Sequence, residues 1–295
     1  MVVRILTTAV GALSLCSAPA CALPAGNALL AGGSLASSST HPRPVGVNYS
    51  EARIDPSGQT LTFFGDWGTR CSHGGAGLAT FKAAGVAIAA DGSFTASGSA
   101  PDRGPGGSQV TTYSLAGSFV GDNAAVGSGT ARVAVRPKHG KRFTCRAAAI
   151  RFRIVDPTHP ASVAQLAPAT QYFGLTSKDF PTIMRTDAAG TALSSATVEY
   201  FVTCVKLRNR TPVTQELFPG PVRIVADGSF SATHDYSTDL FVPGRTARFH
   251  VTLAGRFAGG HLTGTWRVRV RLIDPRTHRQ ADSCTSGPLS FRSAQ

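Results

Sequence analysis

Acidic residues are scarce in this chain. Its 16 Asp and Glu stand against 29 Lys and Arg, a formal net charge of +13, and the only glutamates are Glu51, Glu199 and Glu216. Paired carboxylates that serve as general acid and base, or that flank a glycosidic bond, therefore have few sources. Several aspartates belong to turns instead: Asp91-Gly92, Asp227-Gly228, Asp156-Pro157 and Asp274-Pro275 all read as turn chemistry. Helical periodicity is missing too. Beyond the N-terminal segment, no run of eleven or more residues repeats its apolar positions every 3.6 residues. Local catalytic signatures are also lacking. There is no Gly-x-Ser-x-Gly elbow and no glycine-rich loop in a strand–helix setting. The histidines (His41, His73, His139, His159, His234, His250, His261 and His278) are scattered without the i, i+4 spacing of a helical zinc site. No catalytic residue, cofactor or metal is indicated, and the reading leans away from an enzyme.

What is present begins with an export signal. Arg4 is followed by an apolar stretch from Ile5 to Leu15, then by small residues at Ala18, Ala20 and Ala22. This is the charged, apolar and small-residue order of a secretory leader over residues 1–22. It is too short for a bilayer span of ~20 apolar residues. Ala18-Pro19-Ala20 before Cys21 is a poor lipobox, so a lipid anchor there is not expected. Residues 23–44, rich in Ala, Ser, Gly and Pro, read as a flexible linker.

Beyond the linker the chain repeats itself. Ile88–Ala96 (IAADGSFTA) matches Ile224–Ala232 (IVADGSFSA) at seven of nine positions. Leu115–Gly121 matches Leu253–Gly259 at five of seven, and Ser128–Val135 matches Thr263–Val270 at five of eight. The blocks keep their order, which defines module 1 over 45–155, a connection over 156–170 and module 2 over 171–295. In the same frame Cys71 aligns with Cys204, Cys145 with Cys284 and Phe152 with Phe291. An even cysteine set in an exported chain indicates disulfides. Only Cys71–Cys145 and Cys204–Cys284 are pairings that each copy can form alone.

Short alternating runs of Val, Thr and Phe between Gly- and Pro-containing turns indicate about seven strands per module. The fold class is all-β, as two tandem antiparallel β-sandwich-like modules, with meander β-barrels as the alternative. In the Asp-Gly-Ser-Phe block, a three-residue loop sets Ile88 opposite Phe94, with Gly92 and its counterpart Gly228 at positive φ. Arg245 to Phe257 and His261 to Ile273 form a hairpin turning at Gly259-Gly260. Its second strand turns Val268, Val270 and Leu272 to one face and Arg267, Arg269 and Arg271 to the other.

Charge carries the functional signal. Arg136, Lys138, His139, Lys141, Arg142 and Arg146 crowd one region of module 1. Arg267, Arg269 and Arg271 line one face of module 2, with Arg276, His278 and Arg279 just beyond. Planar guanidinium groups suit phosphate and carboxylate, so Arg136, Lys138, Lys141, Arg142, Arg267, Arg269 and Arg271 are candidate anion-binding residues. The competing explanation is a solvated sheet face. Nucleic acid is disfavoured by export and by the lack of aromatics among the basic runs. The expectation is a secreted or cell-surface binding protein for an anionic envelope polymer or polysaccharide. One alternative is a small-molecule binder with Phe63, Phe64, Trp67, Phe257 and Trp266 lining a barrel pocket, and another is an extracellular hydrolase. The paired blocks resemble a β-rich repeat of exported proteins from high-GC bacteria. That resemblance implies export and an all-β fold and carries no activity.

Overall fold

The computed structural model describes residues 26–34, 48–104, 107–121, 123–158, 167–207, 210–242 and 244–295. The expected leader, with Cys16 and Cys21, lies outside them, as does the middle of the 156–170 connection. Every regular element among the described residues is a strand. Module 1 contains β1 (Leu29–Ser34), β2 (Tyr49–Ile54), β3 (Thr60–Cys71), β4 (Ala76–Ala87), β5 (Ser93–Gly104), β6 (Gly107–Phe119), β7 (Ala124–Pro137) and β8 (Phe143–Val155). Module 2 contains β9 (Gln171–Thr176), β10 (Pro181–Thr186), β11 (Ala192–Cys204), β12 (Arg210–Arg223), β13 (Ser229–Val242), β14 (Arg245–Ala258), β15 (His261–Ile273) and β16 (Gln280–Ala294).

The two modules share one topology. Strand orders are β4-β3-β2-β1-β8-β7-β6-β5 and β12-β11-β10-β9-β16-β15-β14-β13, all antiparallel. Each module is thus one eight-stranded meander whose last strand pairs with its first. Of the two all-β architectures expected, this is the meander order. A seam remains in module 1, where β4 and β5 meet through the Ile88–Phe94 bridge and form no further ladder. Tyr113 of β6 spans it: its ring stacks on Phe81 at 4.3 Å and its hydroxyl donates to the Lys82 carbonyl at 3.3 Å.

The turns form for the anticipated reasons. The Ala89 amide donates to Ser93 O and the Gly92 amide to Ala89 O, both at 2.8 Å, which encloses a three-residue loop. Gly92 has φ 78° and Gly228 φ 84°, a region open to glycine at little cost. Asp91 and Asp227 each accept the amide of the serine two residues on, at 2.9 Å. Hydrogen bonds from Ser93 and Ser229 hold both carboxyls below the usual aspartate range. Both expected disulfides are formed. Cys71 faces Cys145 across β3 and β8, and Cys204 faces Cys284 across β11 and β16.

Three expectations need correction. There are eight strands per module, not about seven. The strand that escaped notice in module 1 is β1, which lies inside the segment 23–44 read as a flexible linker. Its sequence, LLAGGS, shows no polar alternation, and its glycine has a steric cause. A Cβ on Gly32 would sit 2.0 Å from the Arg153 carbonyl oxygen, and one on Gly174 of β9 would sit 1.9 Å from that of Arg292. Finally, Gly117 pairs with Gly127 while Gly255 pairs with Gly264. Gly127 rather than Gly129 is therefore the counterpart of Gly264. The turn after Phe119 is longer by one residue than Gly259-Gly260, and the match of Gly129 to Gly264 lies two residues out of the paired register.

The displacement has a packing counterpart. In module 1, Trp67 of β3 is fully buried among Phe63, Phe81 and Phe152, with ring centroids 4.8–6.4 Å away. Its indole lies over Gly129, where a Cβ would come within 2.4 Å of Trp67 Cη2. In module 2 the position of Trp67 is held by Tyr200 and that of Gly129 by Trp266, both fully buried. One indole fills each barrel, from opposite walls.

The disulfides close loops of 74 and 80 residues. Replacing either cysteine pair by alanine is expected to lower the stability of its own module by about 4 kcal/mol in the chain-entropy model, read from denaturant unfolding of the full chain. Gly129→Ala is expected to cost about 1–3 kcal/mol through overpacking against Trp67, confined to the module 1 transition.

Candidate functional site

The outward faces of the sheets show where charge is placed. In β15, Trp266, Val268, Val270 and Leu272 are buried, and alternation forces Arg267, Arg269 and Arg271 outward. Register then supplies neighbours that spacing along one strand does not reveal. Arg248 of β14 stands directly opposite Arg271, and His250 opposite Arg269. These four side chains, with Asp235 and Ser237 of β13, line a shallow depression of about 490 Å³. His250 Nδ1 lies 2.7 Å from Asp235 Oδ1. Arg267 faces Thr252 and stands outside the depression.

Module 1 arranges its arginines differently. Arg132 of β7 is opposite Arg146 of β8, and Arg146 is opposite Arg70 of β3. All three are exposed, and they form one row across three strands beside the Cys71–Cys145 bond. Lys138, Lys141 and Arg142 lie exposed in the hairpin between β7 and β8, and Arg136 lies near the end of β7 facing Ser108. The residues expected to bind anions thus fall on two faces, one in each module. Arg70, Arg132, Arg248 and His250 join them and were not foreseen.

Directly opposed like charges destabilise a cross-strand pair. An ordinary solvated face avoids them or intersperses carboxylates. Among the described residues, the ion pairs are Arg53–Glu51 and Arg245–Asp274, and Asp235 is hydrogen-bonded to His250. None involves Arg70, Arg132, Arg146, Arg248, Arg269 or Arg271. All six side chains are exposed and stand outside any ion pair among the described residues.

The interiors offer less. Phe63, Trp67 and Trp266 are completely buried in the two cores, Phe257 packs against the module 2 core, and Phe64 lies on the outward side of β3. These aromatics serve as core or surface and line neither the module 2 depression nor the cleft between the modules. That cleft, of about 520 Å³, is bordered by Asn27, Asp156, Thr176, Asp179 and Arg292. Among the described residues no three of His, Cys, Asp and Glu are placed to hold a metal ion, and no helix is long and apolar enough to cross a membrane. No family model matches the chain, and no curated protein or solved structure does either.

Arg146→Thr gives module 1 the residue that module 2 carries at the same place, Thr285 opposite Arg269. It is expected to raise stability at low salt by about 0.2–1 kcal/mol, the scale of one cross-strand pair. The gain should vanish in 1 M salt, as thermal unfolding at the two ionic strengths would show.

Proposed function

We propose that this protein is an exported, non-enzymatic binding protein that holds an anionic envelope polymer against the arginine faces of its two barrels. One observation carries the proposal. Arginines stand directly opposite one another on exposed strands, Arg132–Arg146–Arg70 and Arg248–Arg271, and among the described residues none of them forms an ion pair, the one carboxylate in the module 2 depression, Asp235, being held by His250. A face selected only for solubility has no use for that repulsion. A face that receives phosphate, sulfate or carboxylate groups converts it into attraction, because a guanidinium plane offers two parallel donors to each anionic group.

A polymer suits the geometry better than a small anion does. The row and the depression are open and shallow, and neighbouring strands repeat their side chains about every 4.8 Å. Two linked modules gain further if both engage one chain, since the second contact becomes intramolecular. The overall charge of +13 adds long-range attraction. Export is the setting in which envelope polymers are met, and the two disulfides suit an oxidising compartment.

The full chain should be retained on an anionic polysaccharide resin at low salt and released as screening shortens to about 3 Å near 1 M. The double variants Arg132→Ser/Arg146→Ser and Arg269→Ser/Arg271→Ser should each elute markedly earlier. Flow-through of the unaltered chain in 50 mM salt would end the proposal.

A further inference from the structure

Three carboxylates come together where the two modules meet. There β1 and β2 of module 1 lie against β9 and β10 of module 2. Val155 and Ala124 from one side pack with Phe173, Ala294 and Ile183 from the other in a small apolar cluster. Across the same junction Glu199 of β11 comes within electrostatic reach of Glu51 of β2 and Asp66 of β3, a group that includes two of the three glutamates in the sequence. Asp66 and Glu199 hold matching places, each ahead of its module's first cysteine by the same interval, Asp66 opposite Tyr49 at the start of β2 and Glu199 next to Val198, which faces Thr182 near the start of β10. Their neighbours Trp67 and Tyr200 point into the cores, so both carboxylates point outward from their own barrels. An outward acid should be solvated, yet Asp66 is only 3% exposed.

Little compensates these charges. Asp66 Oδ1 accepts the Thr80 hydroxyl at 2.8 Å. Glu51 lies 3.8 Å from Arg53, whose side chain is 59% exposed, and Asp179 of the β9–β10 turn adds another negative charge nearby. Glu199 has neither a hydrogen-bond donor nor a cation beside it among the described residues. Other cations on the surrounding elements include Arg70, Lys82, Arg153, Lys178, Arg185 and Arg292. Lys178 is taken up by the Ser286 carbonyl, Arg292 donates to His261, and Arg153, half-buried opposite Gly33, has its proton affinity lowered by burial. Among the described residues none of the six forms an ion pair with the group. Burial raises the proton affinity of Glu51 and of Asp66 despite Arg53 and Thr80. Burial, then the charges of Asp66 and Glu51, push Glu199 up to about 8.

We propose that the junction between the modules is a proton-controlled latch, in which Glu51, Asp66 and Glu199 dock the two barrels when protonated and part them when ionised. The latch stands apart from polymer binding, since it uses the opposite charge on a different face. Its sign follows from linkage. In the undocked state these carboxyls regain ordinary values near 4, so docking takes up protons. Docking is strongest below those values, weakens as pH climbs toward 8, and levels off above. For Glu199 alone the docking constant falls on the order of a thousandfold across that interval. The turn aspartates act in the other direction, because their values are lowered by hydrogen bonds. They stabilise each barrel above about pH 4 and lose that effect in stronger acid, so the window for the latch lies above it.

Small-angle scattering of the full chain from pH 4.5 to 8.5 at fixed salt tests the latch, with far-ultraviolet circular dichroism monitoring the barrels. The radius of gyration should rise with pH while the strand signal stays constant, and Glu199→Gln should keep the chain compact at pH 8.5. An unaltered radius over the whole range would overturn the proposal without any variant. So would a Glu199→Gln chain that opens as the wild type does. Compaction at pH 8.5 by millimolar calcium would make these carboxylates cation ligands, and it would equally dismiss the proton latch.

Discussion

Each barrel depends on how its last strand is held along its outer edge. β8 pairs with β7 on one side, but on the other it is shared between two partners. Phe152 to Val155 run beside β1, whereas Cys145 and Arg146 run beside β3. The short β1–β2 hairpin is a wedge driven between β3 and β8, and the disulfide fastens the point where those strands rejoin. β16 is divided between β9 and β11 in the same way. A shared strand of this kind tolerates little slippage, since a one-residue shift would turn every core side chain outward. The sulfur bond fixes the register at one end and the close-fitting Gly32 and Gly174 fix it at the other.

Both proposed features grow from that division. At the fastened end, the residues next to the paired cysteines are Arg70 and Arg146, so the disulfide brings two guanidinium groups face to face. At the wedged end, the end of β8 and the short strands β9 and β10 bring Val155, Phe173 and Ile183 together between the modules, while Glu51 and Asp66 lie on the neighbouring β2 and β3. The sheet thus keeps positive charge at one end and negative charge at the other. A chain rich in arginine has placed two of its three glutamates, Glu51 and Glu199, at the surface that is covered.

Much of this was legible from residues alone, because the signals were local and occurred twice. The Asp-Gly-Ser-Phe turns, the Gly259-Gly260 hairpin, the alternation of Arg267, Arg269 and Arg271 and both disulfides follow from short-range chemistry read in duplicate. β1 did not, since its constraint is a backbone contact with Arg153, far along the chain. The third repeat block was aligned two residues out because sequence identity favoured Gly129 over Gly127, and only strand pairing separates them. The arginine row was partly within reach. Once Cys71 faces Cys145 on antiparallel strands, Arg70 must face Arg146. Arg248 and His250 were hidden, because nothing within β14 announces which residues of β15 lie beside it. The meeting of Asp66 with Glu199 needed both modules in place.

The ring-like strand order carries a cost in time. Ala31 finds its partner Val155 only after six intervening strands have been made. While the chain is being synthesised from its N-terminus, the earliest strand of module 1 waits with one edge bare until the latest arrives. Long-range pairing of this sort folds slowly and exposes hydrogen-bonding edges to neighbouring chains in the meantime. The glycines and small side chains of Leu29–Ser34 make that waiting strand a poor template for aggregation, so the residues that obscured it in the sequence also protect it during assembly.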